Sequence, residues 1–502
     1  MNLSLSSQRA FHPGQLIMVG IEGKTLGPDQ AQFLREQHIR AVCLFRKNLG
    51  GEAEVRQLTK DLRDVMGPGA LIAVDQEGGS TARIEFVPQA PSAMCLGAAD
   101  DEALSESVGA AVSRALRAMG FNWNFAPTLD VNNDPANPVI GERSFSDNPH
   151  TVARLAAAWM RGASREGVAC CIKHFPGHGD TSVDSHVDLP VVSKTREALD
   201  ALELLPFRLL QEAAPAIMTA HIVFPLLDKD HPATLSRTLL RGILREEWHY
   251  EGVVITDSLV MKAIHDRYGH HRAAVLALSA GADMVMALGS PTDELAALDA
   301  MAAALASGEL PLADLLLARD RLDRLALQFP AGPSGAGSYE TPVRQADDAL
   351  MHAAWARGLC AHGAAVRPGP TKPIRVITQS SVPTDHVSEA GLDASQVLPL
   401  FAAWKDVELV QLDDLSTLDW NRLPADGRFT VLASNTRTRY GEEARQWQPD
   451  LHLVLWNPFQ VLDVNAPALV SWGYATGALA AVRHWLEGGE APGRAPVDLR
   501  SL

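Results

Sequence analysis

Short runs of Val, Ile and Leu recur along the first two thirds of the chain, and each is followed by a helix-like stretch. Eight such runs are Leu16–Ile21, Ala41–Phe45, Ala70–Asp75, Phe121–Ala126, Val168–Lys173, Ala216–His221, Gly252–Asp257 and Asp283–Met286. Nearly continuous apolar strands are typical of a parallel sheet covered on both faces, with helices as crossovers. The pattern predicts a (β/α)8 TIM-like barrel, and the count alone leaves a different α/β sheet open.

Polar residues stand at the carboxyl ends of several of these runs. They are Asp75, Lys173 with His174, His221 and Asp257. In a closed barrel the carboxyl ends of all strands share one rim, and active sites of this fold are built there. The barrel interpretation therefore gathers these side chains in one pocket, whereas an open sheet would not.

A second domain is predicted after a Pro- and Gly-rich stretch. We expect residues 1–329 to form the catalytic barrel, 330–345 a linker and 346–502 a smaller C-terminal α/β sandwich domain. Strand-like runs there are Ile374–Ile377, Val407–Leu412, Phe429–Ala433, Leu451–Trp456 and Ala468–Trp472, with a helical stretch at Gly477–Leu486.

Charge and cysteine content exclude several classes of protein. The 502 residues carry a formal net charge of -16, which argues against nucleic acid or an anionic membrane as partner. The five cysteines show no C-x-x-C spacing, so neither a disulfide framework nor a thiolate metal site is indicated. No apolar run approaches the ~20 residues of a membrane span. We expect a cytoplasmic enzyme.

The segment from Lys173 to Pro190 is unusually rich in groups that transfer protons. Asp184 and His186 lie two positions apart, so the carboxylate can orient the imidazole as a general acid and base. The alternative is that both are ordinary polar residues of a solvent-exposed loop. A metal site formed by His174, His178, Asp180, Asp184 and His186 is disfavoured by their spacing. We expect no metal and no cofactor.

Asp257 ends the apolar run Val253–Thr256 and is a candidate nucleophile. A carboxylate held at the end of a strand attacks an anomeric carbon with little reorganisation. The alternative is that Asp257 caps the following helix, a common position for Asp.

Several motifs resemble those of glycoside hydrolase family three, and within it the bacterial β-N-acetylglucosaminidases. The motif K-H-F-P-G-H-G-x-x-x-x-D-S-H-x-x-x-P is similar to the signature of that subgroup at Lys173–Pro190. Further similarity lies at Val74–Gly79, Gly141–Phe145, Pro232–Ser236, Val254–Leu259 and Ala280–Met284, and at Ser471–Tyr474 and Pro492–Val497 near the C-terminus. The resemblance implies the two-domain form of the family. Ser80 and Thr81 differ from the Arg and aliphatic residue usual in the family.

The resemblance also implies roles for individual residues. Asp257 would be the nucleophile, His186 the acid/base and Asp184 its orienting partner. In a retaining mechanism the two reacting groups would approach to about 5–5.5 Å. The sugar in the first subsite would be held by Asp75, Arg83, Arg143, Lys173 and His174.

By this resemblance the protein is expected to hydrolyse terminal β-linked N-acetylglucosamine, with peptidoglycan- or chitin-derived fragments as small carbohydrate partners. One alternative is a phosphorylase, because a His acid/base repels phosphate less than a Glu would. Another is a sugar-binding barrel without catalysis, since fold does not guarantee chemistry.

Overall fold

Eight parallel strands close into a barrel in the N-terminal part of the chain. The computed structural model describes residues 11–181, 188–332, 339, 341–383, 387–388 and 391–500. The barrel strands are β1 Ile17–Val19, β2 Ala41–Cys43, β3 Leu71–Val74, β4 Trp123–Asn124, β5 Ala169–Phe175, β6 Ala216–Thr219, β7 Val253–Ser258 and β8 Met284–Ala287. Each strand pairs in parallel with the next, and β8 pairs with β1. The predicted barrel is confirmed, and the alternative of another sheet is excluded.

Helices cover the outside of the barrel between successive strands. They are α1 Pro28–Glu36, α2 Glu52–Met66, α3 Ala93–Ala99, α4 Glu102–Ala118, α5 Pro149–Arg165, α6 Arg196–Ala201, α7 Leu204–Leu210, α8 Lys262–Tyr268, α9 His270–Ala280, α10 Pro291–Ser307 and α11 Leu312–Gln328, with a π-helical segment at Thr238–Glu247. Over the described part of the chain, no helix combines the length and apolar character needed to cross a membrane.

Strand β5 is longer than the sequence pattern predicts. It continues through Lys173 and His174 to Phe175, so the predicted loop beginning at Lys173 starts only after the strand. Backbone hydrogen bonds explain the extension: the N–H of Leu129 donates to Lys173 O at 2.6 Å, and the N–H of Ala220 donates to Phe175 O at 2.7 Å. Both of these predicted site residues therefore lie on strand backbone.

The second domain contains one sheet of six strands. These are β9 Cys360–His362, β10 Ile374–Gln379, β11 Val407–Leu412, β12 Phe429–Ser434, β13 Leu451–Val454 and β14 Ala468–Val470, in the spatial order β9-β14-β13-β12-β10-β11. Only β9, which the sequence analysis missed, runs antiparallel to its neighbour. The helices are α12 Thr341–Gly358, α13 Ala394–Val397 and α14 Thr476–Leu486. Helix α12 begins inside the segment 330–345, and the exact domain division stays a proposal.

The two domains share an apolar core at their junction. Met94, Cys95 and Ala98 on α3 of the barrel pack in one cluster with Trp355 and Trp472 of the second domain. The hydroxyl of Ser92 donates to Trp472 O at 2.8 Å, and the indole N–H of Trp355 donates to Gln89 O at 3.1 Å. A buried apolar junction with satisfied hydrogen bonds holds the second domain in a fixed position against the barrel.

Candidate active site

One pocket lies at the carboxyl rim of the barrel, with an empty volume of about 640 Å³. Six predicted site residues line it: Asp75, Arg83, Arg143, Lys173, His174 and Asp257. Side chains from β3, β5, β7 and the loops between them thus converge as expected for this fold. Glu77, Thr81, His178 and Val387 also line the pocket, although the sequence analysis gave them no role.

A buried cluster of opposite charges forms one wall of the pocket. The ammonium of Lys173 lies 2.6 Å from Asp75 Oδ1 and 2.7 Å from Glu77 Oε1. The guanidinium of Arg143 grips Glu77 with two hydrogen bonds, from Nε at 3.0 Å and Nη2 at 2.8 Å. The paired geometry fixes Arg143 in position and orientation.

The cluster is held in its charged form. Burial alone would raise the pKa of Glu77, but the positive charges of Arg143 and Lys173 outweigh burial and lower it well below its usual value. Burial would lower the pKa of Lys173, yet Asp75 and Glu77 outweigh this effect and raise it. A sugar hydroxyl both donates and accepts hydrogen bonds, so neighbouring fixed carboxylates and cations can engage it in both ways.

Arg83 reaches the pocket from the hairpin that follows β3. Its Nη2 lies 3.9 Å from Asp75 Oδ2, and its Nη1 donates to the carbonyl oxygen of Val387 at 2.8 Å. The side-chain oxygen of Gln76 accepts from the backbone N–H of Arg83 at 2.9 Å and fixes the hairpin locally. Arg83 therefore connects this pocket with the second domain.

His174 is oriented by a carboxylate that the sequence analysis missed. Asp130, fully buried, accepts from Nδ1 of His174 at 2.7 Å and from the backbone N–H groups of His174 and His178 at 3.1 and 2.7 Å. Because Nδ1 of His174 donates to Asp130, Nε2 is the ring nitrogen that this contact does not use. Burial would raise the pKa of Asp130, but its electrostatic and hydrogen-bond contacts with His174 and its electrostatic contact with His178 outweigh burial and lower the pKa.

His178 lies beside His174 as a neutral imidazole. Burial, with the nearby charge of His174, lowers the pKa of His178 to about 4. The ring centroids of the two imidazoles are 5.7 Å apart in an edge-to-face arrangement. His178 Nδ1 is 2.9 Å from the hydroxyl of Thr181, so this contact fixes the start of the segment that continues toward Asp184.

Asp257 stands at the end of β7 and faces the pocket. Its Oδ1 accepts from the backbone N–H of Ser258 at 2.7 Å. The alternative role as a helix cap is wrong, because α8 begins at Lys262 and its N-cap residue is Met261. His221 is buried below the rim, and its Nε2 donates to Ser258 O at 2.9 Å, which supports the backbone beside Asp257.

Asp184 and His186 lie outside the described residues, so the predicted approach of His186 to Asp257 stays a prediction. Within the described ranges, no group of three or more His, Cys, Asp and Glu side chains is arranged to hold a metal ion.

The site residues that had no predicted role differ in how clearly the sequence pattern marks them as functional. Glu77 stands inside the motif Val74–Gly79, two residues after Asp75. Its place in that motif was a signal of function that the sequence analysis did not use. Asp130 interrupts an apolar stretch after β4, which is a weak signal of function. Val387 had none, because its place in the pocket depends on the packing of two domains.

A (β/α)8 barrel that presents a strand-end carboxylate beside a buried cluster of charges is the architecture expected of a glycosidase. The model of the glycosyl hydrolase family 3 N-terminal domain matches residues 12–325. The chain belongs to this family, as its motifs predicted.

Relatives with known names extend the similarity. A β-hexosaminidase of Neisseria meningitidis is 37% identical over 295 residues, covering 56% of this chain and 81% of that protein. The β-hexosaminidase A of Pseudoalteromonas piscicida is 37% identical over 285 residues, and the match spans 48% of its length, about half. The solved structure of a glycoside hydrolase family 3 β-N-acetylglucosaminidase from Paenibacillus sp. has a TM-score of 0.88 at 32% identity and covers 100% of both chains. The second domain is therefore included in the match.

Proposed function

We propose that this protein is a retaining β-N-acetylglucosaminidase that hydrolyses terminal β-linked N-acetylglucosamine. The observation that carries the proposal is the position of Asp257, on strand backbone and in the same pocket as the Asp75–Lys173–Glu77–Arg143 cluster. The names of the Neisseria and Paenibacillus relatives support the choice of sugar.

The reaction runs in two displacements. Asp257 attacks the anomeric carbon and forms an ester-like bond while the glycosidic C–O bond breaks. His186, oriented by Asp184, gives its proton to the departing oxygen and then takes one from the water that releases the sugar from Asp257. The non-reducing sugar lies against Asp75, Lys173, His174, Arg143 and Arg83 during both steps.

The natural substrates that we propose are fragments of peptidoglycan or chitin with a terminal N-acetylglucosamine. Their processing would take place in the cytoplasm and, for peptidoglycan, would be a recycling step. A comparison of muropeptides with chito-oligosaccharides as substrates tests which source is preferred.

The decisive experiment measures the product formed from p-nitrophenyl β-N-acetylglucosaminide, with and without phosphate. Free N-acetylglucosamine of retained β-configuration, seen by NMR at early times, is the expected result in both conditions. Sugar 1-phosphate formed at a phosphate-dependent rate would instead establish a phosphorylase. Absence of turnover on this and other β-glycosides would favour a sugar-binding protein.

Two variants test the roles of the reacting groups. Asp257→Ala should lower kcat/KM at least about a thousandfold, because the nucleophile is lost. Asp266→Asn, on the exposed helix α8, is the matched control and should leave activity unchanged. His186→Ala should slow substrates with poor leaving groups more than activated aryl glycosides, since a phenolate departs without protonation. Equal losses on both would contradict the acid role of His186.

A further inference from the structure

The carboxyl edge of the second sheet meets the carboxyl rim of the barrel. Val387 follows β10, Arg437 follows β12, Trp456 follows β13 and Tyr474 follows β14, and these segments lie on the side of the sheet that faces the sugar pocket. In doubly wound α/β sheets, ligands bind outside the carboxyl ends of the strands, near the point where the strand order reverses. Here that point lies between β10 and β12. The edges of both domains that commonly hold ligands therefore face one cavity.

Glu142 connects the two domains beside this cavity. Its side chain is 1% exposed, and its Oε1 accepts from the hydroxyl of Ser80, from the indole N–H of Trp456 at 2.9 Å and from Nη2 of Arg437 at 3.1 Å. Ser80 belongs to the barrel and is uncharged, so the cation that faces Glu142 in this contact comes from the second domain. The guanidinium of Arg437 also lies 5.7 Å from the ring centroid of Trp456.

Glu142 acts on the sugar pocket through its sequence neighbour. Glu142 and Arg143 belong to the same short helical turn, Gly141–Arg143, and Arg143 forms the paired contact with Glu77 in the pocket. The turn is thus fixed on the barrel side by the pairing of Arg143 with Glu77, and on the side of the second domain by the contacts of Glu142 with Arg437 and Trp456. A shift of Glu142 would move the backbone that carries Arg143.

Val387 forms a second connection. It lines the pocket, its carbonyl oxygen accepts from Arg83, and its side chain packs against Val139 and Ile140, just before the turn. The hydroxyl of the next residue, Ser388, is 3.0 Å from the hydroxyl of Tyr474. The ring of Tyr474 lies 4.8 Å from the ring of Trp456. The contacts from Val387 through Tyr474 to Trp456 therefore form one continuous path in the second domain, which ends at Glu142 of the barrel.

We propose that the second domain completes the sugar pocket: Arg437 and Trp456 are positioning residues that hold Arg143 through Glu142, and Val387 is a wall residue of the site. The inference rests on the proposed function for the identity of the sugar. It assigns the second domain a part in substrate binding, although the proposed nucleophile and acid both belong to the barrel.

The first test compares Arg437→Met with Arg437→Lys. Loss of the charge should lower kcat/KM for p-nitrophenyl β-N-acetylglucosaminide by about tenfold or more, mainly through KM, because a misplaced Arg143 weakens sugar binding. The loss should be equal for activated and poor leaving groups, and lysine should restore most of it. The matched control is Arg357→Gln, which removes an exposed ion pair with Asp101 at the same domain junction and should leave the kinetics unchanged. Activity of Arg437→Met within about twofold of wild type, or equal loss in Met and Lys variants, would overturn the inference.

A second variant keeps the test valid if the replacement of Arg437 destabilises the protein. Val387→Phe retains the backbone carbonyl that binds Arg83 but fills part of the pocket. It should raise KM by about tenfold, whereas Val387→Ala, which removes part of the wall without filling the pocket, should raise KM by a smaller factor of about three. An unchanged KM in Val387→Phe would show that this residue does not border the bound sugar. Thermal unfolding of each variant, within a few degrees of the control, excludes a general loss of folding.

The wild-type protein separates this inference from the proposed function. If the wild type turns over substrate and the kinetics of Arg437→Met and Val387→Phe are unchanged, the inference is wrong but the proposed function stands. Absence of both turnover and calorimetric binding of N-acetylglucosamine defeats the proposed function, and the inference falls with it. Binding without turnover leaves the inference testable, because Arg437→Met should then weaken the measured affinity and Arg357→Gln should not.

Discussion

Replacing Glu77 by Gln is the sharpest test of the charged pocket. The amide keeps the shape of the side chain but removes the negative charge that Arg143 and Lys173 share. Lys173 retains Asp75 at 2.6 Å, whereas Arg143 loses the carboxylate that it grips with two hydrogen bonds. The variant therefore leaves the buried guanidinium of Arg143 beside a neutral amide instead of a carboxylate.

The size of the effect follows from the geometry. Each pair at about 2.8 Å has a Coulomb energy of roughly 6 kcal/mol at an effective dielectric constant near 20, and this gain offsets a desolvation cost of similar size. Removing one partner of a buried pair leaves that cost uncompensated and destabilises a protein by about 3–5 kcal/mol. We expect Glu77→Gln to fall in this range. Its kcat/KM should fall about a hundredfold, because Arg143 is no longer oriented.

Urea unfolding at pH 7 and steady-state kinetics measure the two effects. Glu52→Gln is a matched control: Glu52 also faces two arginines, Arg56 and Arg344, but its side chain is 33% exposed. Exposed pairs contribute about 0–1 kcal/mol, so this variant should differ little from wild type. The folded-state pKa of Glu77 is lowered, so its stabilising effect should persist as the pH falls from 7 to 5. A stability loss similar to that of Glu52→Gln, with kcat/KM within about threefold of wild type, would refute the reasoning.

Two further predictions concern other buried carboxyl groups. Asp130→Asn should lower kcat/KM about a hundredfold by releasing the ring of His174. Steady-state kinetics beside the control Asp134→Asn, whose carboxylate accepts from the backbone N–H of Ala136 in a loop, would show whether the loss is specific. Burial raises the pKa of Glu294 to about 8, and its Oε1 accepts from the N–H of Gly20 at 3.3 Å. Because the folded state then holds a proton that the unfolded chain has released, the unfolding free energy should decrease as the pH rises from about 4.5 to 8. Glu294→Gln should remove this decrease and stabilise the protein at pH 9 by up to about 5 kcal/mol. Urea unfolding of wild type and variant at pH 5 and pH 9 measures the effect. If the variant shows the same pH dependence of the unfolding free energy as wild type, Glu294 is not the buried acid responsible.

The sequence predicted the barrel because its signals are local. A strand buried on both faces must be apolar almost throughout, so the eight strands stand out as short apolar runs, most of them rich in Val, Ile or Leu. Strand β9, Cys360–His362, was missed because three residues with a half-exposed His carry no periodicity. The end of β5 was misplaced because the chain stays extended through charged residues, held by bonds from Leu129 and Ala220 that no local pattern encodes.

The candidate site was predictable to the extent that strands deliver it. Asp75, Lys173, His174 and Asp257 follow apolar runs, and the barrel brings them together. The orienting groups escaped for a different reason. Asp130 acts on His174 from a neighbouring loop, and Val387 meets Arg83 across 304 positions of sequence. Such pairs depend on how loops and domains pack, which residue patterning does not encode.

A buried cluster of charges has consequences for the rest of the architecture. Glu77, Lys173 and Arg143 lose hydration on folding, and each faces an opposite charge at fixed distance that favours its charged form. Small movements would break that match, so the elements that carry the cluster must be rigid. Strand backbone carries Lys173, whereas Arg143 lies on the short turn Gly141–Arg143. The second domain contacts this turn where Arg437 and Trp456 donate to Glu142, and Val387 packs against the two residues just before it. We therefore infer that the precise charge matching in the pocket depends on the second domain as well as on the barrel.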